Sequence, residues 1–424
     1  MPGWLLECPE LFGSRLAGSG PYQDNSGRDW PDNHRRFALL SHVAAALAEG
    51  HLIAGWRADV VHSNDWHSAL APWLLLEKAR QGHWTGRRPG TVLTLHNLAF
   101  QGVFPPSALA ECGLDLSAPR TEGGLEFHGA ASLLKAGIVA ADRLVAVSAA
   151  YAREILTPEQ GHGLDGVLRS REDRLCGIRN GVDYGVWDSA ENPNLAMRFS
   201  AANAAAGKAA CAIALRAELG LKPDSAAPLL AFGSRLTAQK MADVVADLVP
   251  WMVAEGAQLA LQGRGDATLE ARFAALAASY PGAVGVRIGY DEGLAHRLLA
   301  GADILLHPAR FEPCGLLPLY AMRYGALPVV RRVGGLSETV ADPGPSGEHT
   351  ATAATGFAFD KPTKVALRDA IARALAVRQR GEIWCRMRAN AMAADFGWTA
   401  AAQAHLDLYA SVSQAGARVL AEHG

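Results

Sequence analysis

Several polar segments of this 424-residue sequence follow apolar runs and carry side chains that can do chemistry. Phe232–Gly233–Ser234–Arg235–Leu236–Thr237–Ala238–Gln239–Lys240 leads from a strand pattern into a helical one. A helix N-terminus attracts anions, and two cations added there, Arg235 and Lys240, would clamp a diphosphate. Two solvated surface cations would leave the same pattern. Ala309–Arg310–Phe311–Glu312–Pro313–Cys314–Gly315–Leu316–Leu317 has the same setting. Pro313 suits a first helical turn and Gly315 permits close backbone approach. The amides following Gly315 would suit phosphate and Glu312 a sugar, with an ordinary capping carboxylate as the alternative reading.

His62–Ser63–Asn64–Asp65–Trp66–His67 ends another strand pattern. His62, Asp65 and His67 do not have the spacing of a recognised metal site, so Asp65 reads as a sugar contact or a packing residue. His96 and Asn97 end the next strand, where a lone histidine is commonly structural. Gly263–Arg264–Gly265–Asp266 is half of a dinucleotide fingerprint. Without the third glycine it argues against NAD and for the wall of a nucleoside pocket.

The elements that must carry these segments alternate between short apolar runs and longer helical patterns. Strands are predicted at Trp4–Glu7, Ala58–His62, Thr91–His96, Arg143–Ser148 and Arg174–Ile178. A second series runs Leu229–Ser234, Gln258–Gln262, Gly285–Ile288, Ile304–His307, Leu327–Arg331 and Gly356–Phe359. Helices are expected at His67–Gln81, Ala130–Ala141, Met241–Ala254, Ala267–Ser279 and Gly315–Tyr324, with a further helical stretch in Ser189–Ala212. Apolar strands alternating with helices mean parallel sheets covered on both faces. Two series mean two doubly wound α/β domains with a hinge near Ile178–Asp183. The first series has fewer strands and starts almost at Met1, so the first domain reads as incomplete.

Composition limits the alternatives. Half the residues are apolar, 19% are charged and the net charge is −2. That gives no electrostatic case for nucleic acid or an anionic membrane. Six cysteines lie far apart with no C-x-x-C pair, the pattern of a reduced, cytoplasmic chain. No apolar run is long enough to span a bilayer.

Taken together the segments resemble bacterial glycogen synthase and plant starch synthase. The stretches that carry the resemblance are HSNDWHSALAP, TLHNLAFQGVF, LEFHGAASLLKAGIVAADRLVAVS, NGVDYGVWD, SRLTAQK, IGYDEGLAHRLLAGADILLHPARFEPCGL and YGALPVVRRVGGLSETV. The resemblance implies two Rossmann-like domains facing a cleft, the arrangement called GT-B. Residues 1–178, joined by a helix within 399–424, would form the acceptor-side domain, and 179–398 the nucleotide-sugar domain. It implies that Arg235 and Lys240 hold the donor diphosphate. Glu312 would be the catalytic candidate, with Cys314, Gly315 and Leu316 against the sugar or phosphate. His96 and Asn97 would lie near the transferring glucose, Asp65 and Asn180 on the sugar and acceptor side, and Tyr290 by the base.

The donor implied is ADP-glucose, with UDP-glucose left open. The acceptor is an α-1,4-glucan, and neither cofactor nor metal is expected. Related retaining transferases carry a second Glu eight residues after the first, where this chain has Tyr320. Three departures stand out. The family's lysine–glycine–glycine–leucine loop is absent, Met241 replaces a usual glycine, and Leu317 replaces a usual threonine. The missing loop leads to the expectation of a truncated N-terminal domain with little synthase activity. A catalytically impaired homologue that binds nucleotide or glucan without turnover is the alternative. A phosphorylase or a nucleotide-sugar epimerase is a third reading, but no lysine here has the context of a pyridoxal site. No carboxylate pair at the roughly 5–5.5 Å spacing of a retaining hydrolase stands out. Same-face attack is therefore expected, with the leaving diphosphate taking the acceptor proton.

Overall fold

A computed structural model of the chain describes residues 3–13, 20–24, 28–82, 87–114, 124–344 and 353–418. The chain divides into two compact units, one formed by residues up to Ile178 together with those from Ala402 onward, the other by Arg179–Ala401. The helix Trp398–Arg418 starts in the second unit and continues in the first. Residues 419–424 of the expected C-terminal segment lie outside the described residues.

Each unit is built on a parallel sheet. In the first unit the strands are β1 (Val60–Asn64), β2 (Gly90–Leu95), β3 (Val103–Phe104), β4 (Glu126–Phe127), β5 (Ala130–Ser132), β6 (Arg143–Ala146) and β7 (Leu175–Gly177). The order β1-β2-β6-β7 makes the parallel sheet, and β3-β5-β4 forms a small antiparallel one. In the second unit β8 (Leu229–Gly233), β9 (Gln258–Gly263), β10 (Val284–Ile288), β11 (Ile304–His307), β12 (Leu327–Arg331) and β13 (Phe357–Phe359) form one parallel sheet ordered β10-β9-β8-β11-β12-β13. Every residue of β2 and of β9 is buried, as strands covered on both faces must be. Alternation by two sets the layers. Leu230 and Phe232 of β8 and Ile304 and Leu306 of β11 pack into one core, while Leu229, Ala231 and Leu305 pack into the core on the opposite face.

Four expectations are corrected. Trp4–Glu7 is not a strand. Among the described residues no strand pairs with it, Trp4 packs edge-on against Trp56 at 4.9 Å between ring centroids, and Pro9 starts a short helix, Pro9–Phe12. The helix predicted from Ala130 begins only at Leu133. Ala130–Ser132 pairs as β5 instead, and Ser132 Oγ caps the helix by accepting from the Lys135 amide at 3.1 Å. The helix predicted from His67 is two pieces, Asp65–Ser68 and Leu70–Arg80. Ser189–Ala212 is irregular up to Ser200, because its polar side chains satisfy local backbone groups. Asn192 Oδ1 accepts from the Asn194 amide at 2.9 Å, and Ser200 and Asn203 form a capping box before helix Ala204–Glu218.

Candidate active site

Strands β8 and β11 are neighbours in the second sheet, so the loops that leave their carboxyl ends lie side by side. Backbone and side chains stitch the two loops together. The Arg310 amide donates to the Gln239 carbonyl at 2.8 Å, and Gln239 Nε2 donates to the Phe311 carbonyl at 3.2 Å. The Arg310 guanidinium forms a two-point pair with Asp243 at 2.9 and 2.8 Å, and Arg235 donates to Gln239 Oε1 at 2.9 Å.

This frame brings Lys240 Nζ onto Glu312 Oε2. Glu312 is only 7% exposed. The same oxygen lies 3.1 Å from His307 Nε2, at the end of β11. Burial pushes the Glu312 carboxyl upward. Lys240 and then His307 outweigh that and hold it at about 2, so Glu312 is ionised at neutral pH. Burial and then Lys240 push His307 below its ordinary range, so its ring is neutral.

Glycines shape the backbone around Glu312. Gly315 has φ +82°, and a Cβ there would lie 2.4 Å from Leu336 Cδ2. Helix Leu316–Arg323 starts immediately after it. At Gly334 (φ +46°) a Cβ would come within 1.9 Å of the Glu312 carbonyl oxygen. The backbone of Gly334–Gly335 therefore lies directly under this loop, and the Gly335 amide donates to the Pro313 carbonyl at 3.1 Å. Cys314 is buried beside it. Burial lifts its thiol to about 11 against the pull of the Asn180 backbone, so it is an uncharged packing group rather than a nucleophile.

Next to Arg235 opens a cavity of about 360 Å³ whose lining includes Gly233, Arg264, Tyr290, Leu298, Leu317 and Tyr320. Trp187 stacks on Tyr320 with centroids 4.1 Å apart and the rings 5° from parallel. Tyr290 stands at the cavity, 74% exposed, between Gly289 and the helix cap Asp291. Met241 carries φ +51°, a left-handed conformation that explains why glycine suits this position.

The polar cluster of the first unit lies at the carboxyl ends of β1 and β2. Asp65 has φ +51°, and its Oδ1 accepts from the His96 amide at 2.7 Å. His96 Nε2 lies 2.9 Å from Asn64 Oδ1, and Asn97 Oδ1 accepts from the Ala99 amide at 3.1 Å. Burial raises the Asp65 carboxyl, opposed by His96. His62 points elsewhere, with Nδ1 2.6 Å from the Tyr409 hydroxyl and Nε2 2.7 Å from Thr94 Oγ1. His67 packs on Trp66 and Phe37. Among the described residues no group of three or more His, Cys, Asp or Glu is placed to hold a metal ion.

In the second unit, then, the structure brings together Arg235, Lys240, Glu312, Cys314, Gly315 and Leu316, with Asn180 touching Cys314 and Tyr290 at the cavity. In the first it brings together Asp65, His96 and Asn97. The sequence reading missed His307 and the Gln239–Arg310–Asp243 frame. His307 was open to the same logic that singled out His62 and His96, since it is a polar residue at a strand's carboxyl end.

Two Rossmann-like units, one carrying a charged loop pair beside a nucleotide-sized cavity, define a glycosyltransferase of the GT-B class. Residues 1–170 match the family described as starch synthase catalytic domain, and residues 220–391 match glycosyl transferases group 1. A glycogen synthase of Bordetella parapertussis is 50% identical over 401 residues, 93% of this chain and 77% of that protein. One from Burkholderia thailandensis is 49% identical over 416 residues, 97% of this chain and 76% of that protein. The catalytic domain of starch synthase IV from Arabidopsis thaliana, solved with ADP and acarbose, superposes with a TM-score of 0.83 at 29% identity, over 91% of this chain and 78% of that one. Sucrose-phosphate synthase from Thermosynechococcus elongatus shares the fold at a TM-score of 0.57 and 21% identity, covering 94% of this chain and 82% of that one. The chain belongs to the glycogen and starch synthase family. Among the described residues no helix is long and apolar enough to cross a membrane.

Proposed function

We propose that this chain is a cytoplasmic retaining glucosyltransferase that moves glucose from ADP-glucose to the non-reducing 4-hydroxyl of an α-1,4-glucan. The observation that carries the reading is the buried Lys240–Glu312 pair at the carboxyl ends of β8 and β11, in a chain half identical to glycogen synthases. Arg235 and Lys240 neutralise the donor diphosphate, and the amides from Gly315 and Leu316 onward add donors at a helix N-terminus. The apolar cavity beside Arg235, with Tyr290 at it, takes the nucleoside. Its room and lining suit a purine.

The chemistry follows from charge. As the bond from C1 to the leaving phosphate oxygen breaks, positive charge grows on the glucosyl ring. Glu312, ionised and buried, is placed to stabilise that charge. The departing diphosphate, on the same face, takes the proton of the acceptor hydroxyl as the new C1–O4 bond forms, so configuration is retained. Arg235 and Lys240 supply the cationic charge that the leaving group needs. His96 and Asn97 are assigned to the transferring glucose, and Asp65 and Asn180 to the sugar and acceptor side; Asp65 Oδ1 fixes the backbone of His96 by accepting from its amide.

The test is direct. The purified chain is given glycogen with labelled ADP-glucose or UDP-glucose, and the product is digested with an exo-acting α-1,4-glucanase. Label should enter glycogen from ADP-glucose and be released as maltose. Transfer from UDP-glucose at an equal or greater rate would overturn the donor assignment. No transfer from either donor would overturn the activity.

A further inference from the structure

His307 is the buried polar group closest to the chemistry that the reaction scheme leaves without a role. Its side chain is 5% exposed, and its Nε2 lies 3.1 Å from Glu312 Oε2, the oxygen that Lys240 also meets. Its Nδ1 is buried and has no hydrogen-bond partner among the described residues. The charged groups that face it are Lys240 and Glu312, and burial with Lys240 keeps its ring neutral. A neutral ring beside an ionised carboxylate carries its proton on Nε2 and donates it to Glu312.

Lys240 cannot serve Glu312 and a diphosphate equally. When it turns to the phosphate it leaves behind a buried carboxylate, and an unpaired buried charge is costly. We propose that His307 is a positioning residue that keeps Glu312 ionised and aimed while Lys240 is handed to the donor diphosphate. The proposal rests on the reading of Lys240 as a diphosphate ligand. His307 itself touches neither phosphate nor sugar. Its effect appears as coupling: removing it makes Lys240 harder to draw off Glu312, and so weakens diphosphate binding.

Calorimetry with ADP on the full chain tests this without needing turnover. His307→Leu should weaken ADP binding about tenfold, the loss expected of one hydrogen bond to a charged group. His307→Gln, which keeps an N–H donor, should restore most of it. In a Lys240→Met background His307→Leu should have no further effect. Unchanged ADP affinity in His307→Leu, or an equal loss with Lys240 already removed, overturns the proposal. Lys240→Met that binds ADP normally overturns the diphosphate reading instead, so the two failures are distinguishable. Where turnover is measured, the acid limb of kcat should move to higher pH in His307→Leu, because Glu312 has lost a donor to its ionised form. A purely structural role would leave that limb in place. If the leucine variant does not fold, the nitrogen spectrum of His307 in the unaltered chain decides. A neutral ring protonated on Nε2 is expected at neutral pH, and a ring protonated on Nδ1 overturns the proposal.

Discussion

Lys240 and Glu312 stand 72 positions apart in sequence and form a buried ion pair. Their side chains are 12% and 9% exposed, so the pair is screened little by solvent. It sits at the junction of two loops that the Arg310–Asp243 bridge and the Gln239 contacts hold in register. A cation that can leave and a carboxylate that stays ionised are what the proposed transfer needs.

Replacing Glu312 with Gln removes the charge and keeps the shape. Turnover should fall by about a hundredfold or more, roughly 3 kcal/mol of transition-state stabilisation. The melting temperature, followed by circular dichroism, should fall as well, because Lys240, 12% exposed, loses the charge that pairs it. A loss of less than about tenfold would remove Glu312 from the mechanism.

Arg235→Ala and Lys240→Ala should each weaken ADP binding by about tenfold while leaving maltooligosaccharide binding nearly unchanged. Titration calorimetry with the two ligands separates the cases. Equal losses for both would point to unfolding rather than to a clamp.

Met241 presents two opposing effects. Its φ of +51° is strained for a residue with a side chain, and glycine would relieve about 1 kcal/mol. The side chain is also fully buried among Leu236, Val245 and their neighbours, and deleting a side chain of this size costs about 2–5 kcal/mol. Packing should win, so Met241→Gly is expected to be less stable by about 1–4 kcal/mol in denaturant unfolding. A more stable glycine variant would show that the strain outweighs the packing.

His62 ties β1 to the C-terminal helix through Tyr409. Burial, helped by His405, depresses it to about 4 from the usual 6.5. The folded protein therefore resists protonating it. Its contribution to stability is fully present above the unfolded value and is lost as pH falls from 6.5 towards 4. Unaltered protein should lose melting temperature across that window more steeply than His62→Gln, and parallel curves would show that His62 is not the group responsible.

Much of this protein is legible in the sequence by itself. The six strands of the second unit can be read from apolar runs because parallel strands buried on both faces have no polar alternation to confuse them. Helix Ala267–Ser279 can be read too, since Asp266 caps it locally, accepting from the Thr268 and Leu269 amides at 2.8 and 3.1 Å. Arg235, Lys240 and Glu312 can be singled out because polar residues after strands fall at the carboxyl edge of an α/β sheet. The states of Trp4–Glu7 and Ala130–Ser132 are not legible locally, because strand formation depends on a partner elsewhere in the chain. Among the described residues Trp4–Glu7 has none, and Ala130–Ser132 pairs with both Val103–Phe104 and Glu126–Phe127. Tertiary structure alone decided that Lys240 meets Glu312 and that His307 shares the same oxygen. Both depend on β11 lying beside β8, a pairing across more than seventy residues that no local pattern of residue types records.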